Sequence, residues 1–243
     1  MIKGIGFDLQ FTLVYLDNFS LDTWFRLFDT GFSKVLDYLS SLGISYDEKR
    51  LKRTLRRIRN KYFAITITKE QAYFTEEILR DTFAKMNIKL NPQDFVKCCR
   101  LYHSYEIQAW KPYPKTQQIL KTLAKDYKLA LLTNASQLVA ESILKLHAMD
   151  KYFTFIFTDI RKPRLSAFHM FKDAMQVDFP ELCMVGDDIK ADIEPAIQLG
   201  MKTIHTYRGY EYLKHHAILK IQPHKKVNKL EEVVTAIKDL SKL

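Results

Sequence analysis

Five near-continuous apolar runs recur along the chain, and a helical pattern precedes each of the last four. The runs are IKGIGFDL at residues 2–9, KLALLTN at 128–134, FTFIFTDI at 153–160, ELCMVGD at 181–187 and KTIHTY at 202–207. Runs that are apolar at nearly every position indicate parallel strands that are buried on both faces of a sheet. The helical patterns between them span residues 114–125, 136–146, 166–176 and 189–199. Repeated strand–helix–strand units predict an α/β fold with a doubly wound parallel sheet.

Local signals support these helix boundaries. Ser136 and Ser166 stand where an N-cap is expected, because a serine hydroxyl can accept a hydrogen bond from the first turn. Gly200 follows the last helical pattern, where glycine commonly ends a helix. We therefore expect a helix after each of the second, third and fourth runs.

Residues 17–108 break the alternation of strands and helices. Apolar residues recur there at three- and four-residue spacing, as at Trp24, Leu27 and Phe28, which predicts helices throughout. The stretch WKPYP at residues 110–114 then predicts a stiff turn back into the sheet. The sequence thus predicts a core domain of residues 1–16 and 109–243 with a helical domain of residues 17–108 inserted after the first strand.

The composition restricts the class of protein. Of 243 residues, 47% are hydrophobic and 27% are charged, which is typical of a well-filled globular chain. No apolar run approaches about 18 residues, so we expect no membrane segment. A strand pattern begins within the first few residues and leaves no room for a signal peptide, so we expect a cytoplasmic protein. The three cysteines lack the spacing of a zinc site and are expected to be buried thiols.

Polar residues follow four of the apolar runs at the point where each strand is expected to end. They are Asp8 and Gln10, Thr133 and Asn134, Lys162, and Asp187 and Asp188. Ligands of open parallel sheets bind at the carboxyl ends of the strands. We therefore expect these side chains to converge on one site.

These residue types suit phosphoryl transfer. The carboxylate of Asp8 could attack phosphorus and form an aspartyl-phosphate, which splits one difficult displacement into two. Asp187 and Asp188 could complete a site for a hard divalent cation. Thr133 offers a hydroxyl and a backbone N–H to a phosphate, and Lys162 offers a positive charge that offsets the negative charge of the reacting groups.

This arrangement resembles the haloacid dehalogenase superfamily through four motifs in the same order along the chain. The motifs are DLQFT with Asp8 and Thr12, LALLTNAS with Thr133, KPRLSAF with Lys162, and GDDIKAD with Asp187, Asp188 and Asp192. The resemblance covers essentially the whole chain, although the inserted helical region matches by position alone. It implies a Rossmann-type core and an inserted helical cap that covers the active site.

The resemblance also implies a hydrolase that uses Mg²⁺ and acts on a small phosphorylated substrate. Asp8 would be the nucleophile and a metal ligand, together with Asp187 and the backbone carbonyl of Gln10. Thr12 and Asp192 would support the metal ligands without binding the ion. Thr133, Asn134 and Lys162 would hold the phosphate.

Gln10 departs from the pattern of the superfamily's phosphatases, which usually have a second aspartate at this position. A glutamine amide cannot exchange a proton at working pH, and general acid–base help is typically worth about 10²–10⁴-fold in rate. The expected activity is therefore a slow phosphatase. Two alternatives stay open: a 2-haloacid dehalogenase-like hydrolase, and a phospholigand-binding protein with little turnover.

Several of these residues also have plain structural interpretations. Asp188 could be a helix N-terminal charge, and Thr133 with Asn134 could form an ordinary strand–helix turn. Arg161 could take the role given to Lys162. The basic run at residues 48–61 predicts a solvated helix face, because Leu51 and Leu55 recur at helical spacing on the opposite side. The same run also suits a nucleic-acid surface, but the sequence has no helix-turn-helix signature or interleaved aromatic platform, so we expect no specific binding of nucleic acid; the oligomeric state is open.

Overall fold

The computed structural model describes residues 1–69, 75–207 and 221–242. The chain forms two compact units. One consists of Met1–Asp17 and Trp110–Leu243, and the other of Asn18–Ala109.

The first unit is built around a parallel sheet. Within the described residues the sheet has six strands, in the order β5-β4-β1-β6-β7-β8, and every neighbouring pair is parallel. The strands are β1 Gly4–Phe7, β4 Lys128–Leu132, β5 Phe155–Phe157, β6 Leu182–Gly186, β7 Lys202–Thr206 and β8 Lys225–Val227. Leu129 and Leu131 on one face, and Ala130 and Leu132 on the other, are all fully buried. The predicted parallel α/β sheet, covered on both faces, is thus confirmed.

Helices follow the strands and pack on the sheet. They are α5 Thr116–Leu123, α6 Gln137–Leu146, α7 Leu165–Met175, α8 Glu194–Gln198 and α9 Glu232–Leu240. Phe168 and Phe171 of α7 pack with Leu132 and Met184 of the sheet and with Ala196 of α8 in one apolar cluster.

Strand β1 lies at the point where the winding of the sheet reverses. Its neighbours are β4 on one side and β6 on the other, so the chain winds outward through β4 and β5 before it returns to β6. In open α/β sheets a crevice forms at the carboxyl ends of the strands at such a reversal. Asp8, directly after β1, therefore lies where a ligand crevice is expected.

Several predicted elements differ in their bounds. The run at 153–160 forms only the three-residue strand β5, which lies at the edge of the sheet. Ser166 is not an N-cap, because α7 begins at Leu165 and Arg164 occupies the N-cap position. The turn predicted at WKPYP contains β3 Lys111–Pro112, which pairs antiparallel with β2 Val14–Tyr15. Ser136 does occupy the N-cap position of α6, and Gly200 follows α8 with a φ of +80°.

The second unit is helical. Its helices are α1 Leu21–Ser41, α2 Glu48–Lys69, α3 Thr75–Lys85 and α4 Pro92–Ala109. Helices α1 and α4 approach closely at Gly31, where a Cβ atom would lie 2.0 Å from the carbonyl oxygen of Tyr102. The rings of Phe28 and Tyr102 stack beside this contact at 5.2 Å. A glycine is therefore needed for this pair of helices to pack.

Among the described residues, no helix combines the length and the apolar character that crossing a bilayer requires.

Candidate active site

Two carboxylates lie side by side after the two central strands. The buried Asp8 follows β1, and Asp187 follows β6. The backbone N–H of Asp8 donates to the carbonyl of Val185 at 3.0 Å, which continues the pairing of these strands past their ends. The register of the sheet therefore fixes the spacing of the two carboxylates.

Lys162 is held between two carboxylates. Its Nζ lies 2.8 Å from Oδ1 of Asp8 and 2.5 Å from Oδ1 of Asp192, and its side chain is almost fully buried. The loop that carries Lys162 is bound by Asn134, whose Oδ1 accepts from the Lys162 N–H at 2.6 Å and whose Nδ2 donates to the Lys162 carbonyl at 3.0 Å. Asn134, which was predicted to bind phosphate, thus positions Lys162.

Gly186 leaves the space that Asp192 occupies. A Cβ atom at Gly186 would lie 2.2 Å from Oδ2 of Asp192, which is far inside van der Waals contact. The same oxygen accepts from the backbone N–H of Asp188 at 3.2 Å. The glycine of the GDD motif is therefore a packing requirement of the Asp192 carboxylate.

Two residues hold Asp187: Thr12, which belongs to the DLQFT motif, and His205, which belongs to none of the four motifs. The hydroxyl of Thr12 donates to Oδ1 of Asp187 at 3.1 Å. The backbone carbonyl of Asp187 lies 2.9 Å from Nε2 of the buried His205 on β7. Sequence reasoning missed His205; the available signal was a polar residue inside the apolar run KTIHTY.

Asp188 is engaged at a helix N-terminus. Its Oδ1 accepts from the backbone N–H groups of Lys190 and Ala191 at 2.8 and 2.9 Å, so it caps the π-helical turn Ile189–Ile193. That turn brings Asp192 back towards the strand ends. Of the two residues, Asp192 rather than Asp188 belongs to the cluster of close carboxylates.

The carboxylates of Asp8, Asp187 and Asp192 form a cluster whose ligand oxygens lie within 4.8 Å of one another. Burial raises the pKa of Asp8 and that of Asp187, and at Asp187 the charges of Asp8 and Asp192 add to the effect. Burial likewise raises the pKa of Asp192 to about 7, although Lys162 lowers it. Burial acts to lower the pKa of Lys162, but the charges of Asp192 and Asp8 raise it, so Lys162 stays charged.

This donor set fits a divalent cation. The cluster contains three carboxylates, whereas Lys162 supplies one ammonium group beside them. When all three carboxylates are ionised, their negative charge exceeds the positive charge of Lys162. Carboxylate oxygens are the ligands that Mg²⁺ takes in proteins, and a bound cation would favour their ionised forms.

The remaining predicted residues lie at the ends of β1 and β4. The backbone N–H of Thr133, predicted to bind phosphate, instead donates to the carbonyl of Phe157 at 3.0 Å, and its hydroxyl accepts from the N–H of Ala135 at 3.2 Å. The hydroxyl group of Thr133 can still donate a hydrogen bond to a ligand. Gln10 is half-buried in the turn after Asp8, where the next residue, Phe11, has a φ of +62°.

Comparisons with known proteins identify the family of the chain. The sequence model of the family described as "Haloacid dehalogenase-like hydrolase" matches residues 47–206. The chain is 24% identical over 249 residues to the glyceraldehyde 3-phosphate phosphatase of Methanocaldococcus jannaschii, and the match covers 100% of both chains.

Two solved structures share the fold. One is a HAD phosphatase from Thermococcus onnurineus, with a TM-score of 0.63, 19% identity and coverage of 97% of this chain and 98% of that one. The other is a 2-haloacid dehalogenase from Pseudomonas syringae pv. Tomato DC3000, with a TM-score of 0.65, 17% identity and coverage of 98% and 99%.

Proposed function

The chain belongs to the haloacid dehalogenase-like hydrolase family, and we propose that within it this protein is a Mg²⁺-dependent phosphatase for a small phosphorylated metabolite. The observation that supports this most is the contact of Lys162 with Asp8 beside the carboxylate cluster. A nucleophile, a fixed cation and a set of metal ligands are the parts that phosphoryl transfer needs.

In the proposed reaction, a carboxylate oxygen of Asp8 attacks phosphorus while the bond from phosphorus to the ester oxygen breaks. The leaving group departs with the electron pair of that bond and takes a proton from solvent, because Gln10 has none to give. Water then attacks the phosphorus of the aspartyl-phosphate, which releases inorganic phosphate and restores Asp8. Lys162 offsets negative charge throughout, and the hydroxyl group of Thr133 donates a hydrogen bond to a phosphate oxygen.

The other site residues have supporting roles in this proposal. Mg²⁺ would be held by Asp8, Asp187 and the carbonyl of Gln10, and would neutralise charge on the phosphate oxygens. Asp192 positions Lys162, and Thr12 orients Asp187 through their hydrogen bond. Asp188 is better suited to capping the turn at Ile189–Ile193 than to binding the ion. Residues 18–109 would act as the cap that selects the substrate.

We expect purified protein to hydrolyse p-nitrophenyl phosphate in Mg²⁺ and to lose about 10²-fold or more of this rate in chelator. The p-nitrophenolate leaving group needs little protonation, so Gln10 should not mask a working site. Release of p-nitrophenol is followed by absorbance, and added Mg²⁺ should restore the rate. Glyceraldehyde 3-phosphate is the first metabolite to assay, because the similar protein of Methanocaldococcus jannaschii is named as a phosphatase of this compound.

Two results would contradict the proposal. Halide release from 2-chloropropionate in chelator, with no phosphate ester hydrolysed, would identify a dehalogenase-like hydrolase. Metal-dependent binding of inorganic phosphate without turnover of any ester would identify a binding protein.

Replacing Gln10 by aspartate should raise the rate on esters with poor leaving groups. Gln10→Asp supplies a carboxyl that can protonate the leaving oxygen, and we expect kcat for glyceraldehyde 3-phosphate to rise by about 10²-fold. The rate on p-nitrophenyl phosphate should change far less. Gln10→Asn is the matched control, since it shortens the side chain equally without adding an acid; equal rates for the two variants would exclude residue 10 from proton transfer.

A further inference from the structure

Helix α2 of the second unit carries an exposed face on which cations predominate. Its other side is buried, with Leu51 and Leu55 at most 1% exposed and Arg59 bonded to Asp29 at 2.7 Å. The exposed positions opposite are Lys49, Arg50, Arg53, Arg56, Arg57, Asn60, Lys61 and Ala64. This face holds no acidic residue.

Four of these cations, Lys49, Arg53, Arg57 and Lys61, follow one another at four-residue spacing and are called here the basic ladder. Steps of four residues rise about 6 Å along a helix, so the ladder extends over about 18 Å. Like charges at this spacing destabilise a helix. The ladder therefore carries a standing repulsion that a bound polyanion would relieve.

The cations of the ladder differ from three other cations of the same unit. A cavity of about 450 Å³ beside it is lined in part by Arg26, Lys52 and Arg56. Each of these three is ion-paired: Arg26 with Asp22, Lys52 with Glu48 at 2.6 Å, and Arg56 with Asp29 at 3.0 Å. Across the part of the chain that the structure describes, no side chain of the ladder has such a partner.

We propose that the basic ladder binds the phosphodiester backbone of a nucleic-acid duplex without regard to its sequence. Arginine and lysine are the side chains that contact phosphates, and a row of cations along one helix suits a row of phosphates. Between residues 49 and 64, the exposed face has no aromatic residue on which an unpaired base could stack, which favours a duplex over a single strand. Leu51 and Leu55, on the other side of the helix, are buried and not free to enter a bilayer, which disfavours a lipid surface.

The test measures binding of a fluorescent 24-base-pair duplex by anisotropy at several KCl concentrations, with DNA and RNA duplexes in parallel. Four phosphate contacts predict a slope of log K against log[KCl] of about −3.6. The variant Lys49→Gln/Arg53→Gln/Arg57→Gln/Lys61→Gln should lose most of this slope and at least 10-fold in affinity at about 50 mM salt. Circular dichroism and thermal melting check that the variant folds.

The matched control removes the same charge from the first unit. Lys121→Gln/Lys125→Gln/Lys238→Gln/Lys242→Gln alters four exposed lysines, so both variants lower the net charge from +10 to +6. The proposal requires this control to keep the affinity and the slope of the unaltered protein. Equal losses in the two variants would overturn it, as would absence of duplex binding or binding only to vesicles of equal parts phosphatidylglycerol and phosphatidylcholine. DNA and RNA bound alike would support backbone recognition.

Discussion

Asp8→Asn should abolish phosphate ester hydrolysis, with a fall in kcat on the order of 10⁴–10⁶-fold. An asparagine amide has the size of the carboxylate but is not a nucleophile towards phosphorus. Its oxygen can still accept a hydrogen bond from Lys162, which also keeps its contact with Asp192. The variant is therefore expected to fold and to fail at the first chemical step, as measured by hydrolysis of p-nitrophenyl phosphate in saturating Mg²⁺.

Mass spectrometry separates this outcome from a general loss of structure. The unaltered protein, quenched in acid during turnover, should gain one phosphoryl group on the peptide that contains Asp8, and the variant should gain none. Asp173→Asn is the matched control, because Asp173 is 75% exposed and its nearest ammonium lies at 3.9 Å. Full activity of Asp8→Asn, or a phosphoryl group on another residue, would rule out the proposed nucleophile.

Lys162→Met should reduce both activity and stability. The methionine matches the length of the lysine stem but leaves Asp8 and Asp192 buried without their shared cation. Loss of one partner from a buried ion pair typically lowers the free energy of unfolding by about 3–5 kcal/mol. We expect a loss of this size in urea unfolding, measured in chelator so that bound metal does not offset the carboxylate charge.

The control for this variant is Lys145→Met, which breaks an exposed pair with Glu141 at 3.3 Å and should cost less than about 1 kcal/mol. The double variant Lys162→Met/Asp192→Asn should recover part of the stability, because one uncompensated carboxylate is removed, while activity stays low. If Lys162→Met were no more destabilising than Lys145→Met, the buried pairs would not stabilise the fold.

The sequence predicted the sheet well where a strand is both central and apolar. Strands β1, β4, β6 and β7 lie inside the predicted runs, because a strand covered on both faces must be apolar at successive positions. The edge strand β8, with the sequence KKV, lacks that signal and was missed. Helix α7 begins at Leu165, one residue before the predicted cap Ser166, and its N-cap residue Arg164 makes no side-chain capping hydrogen bond.

The sequence motifs select the residues of the candidate site, but they do not predict which of these residues contact one another. Four motifs identify the strand ends, whereas the partners of each side chain depend on turns that have no simple sequence pattern. The π-helical turn at Ile189–Ile193 engages Asp188 as its cap and carries Asp192 to Lys162. Asn134 was recognised as polar, but its two bonds to the backbone of Lys162 follow from tertiary structure alone.

The contact between Asp8 and Lys162 joins residues 154 positions apart, and that between Thr12 and Asp187 spans 175 positions. Pairing between such distant parts of a chain is slow, because the intervening segments must first be brought together. Asp8 directly follows β1 and Asp187 directly follows β6, so we expect the reacting groups to come together once these strands have paired. The rate at which hydrolysis recovers after dilution from denaturant would then report how fast the central strands pair in register. The enzymatic reaction would thus measure this stage of folding.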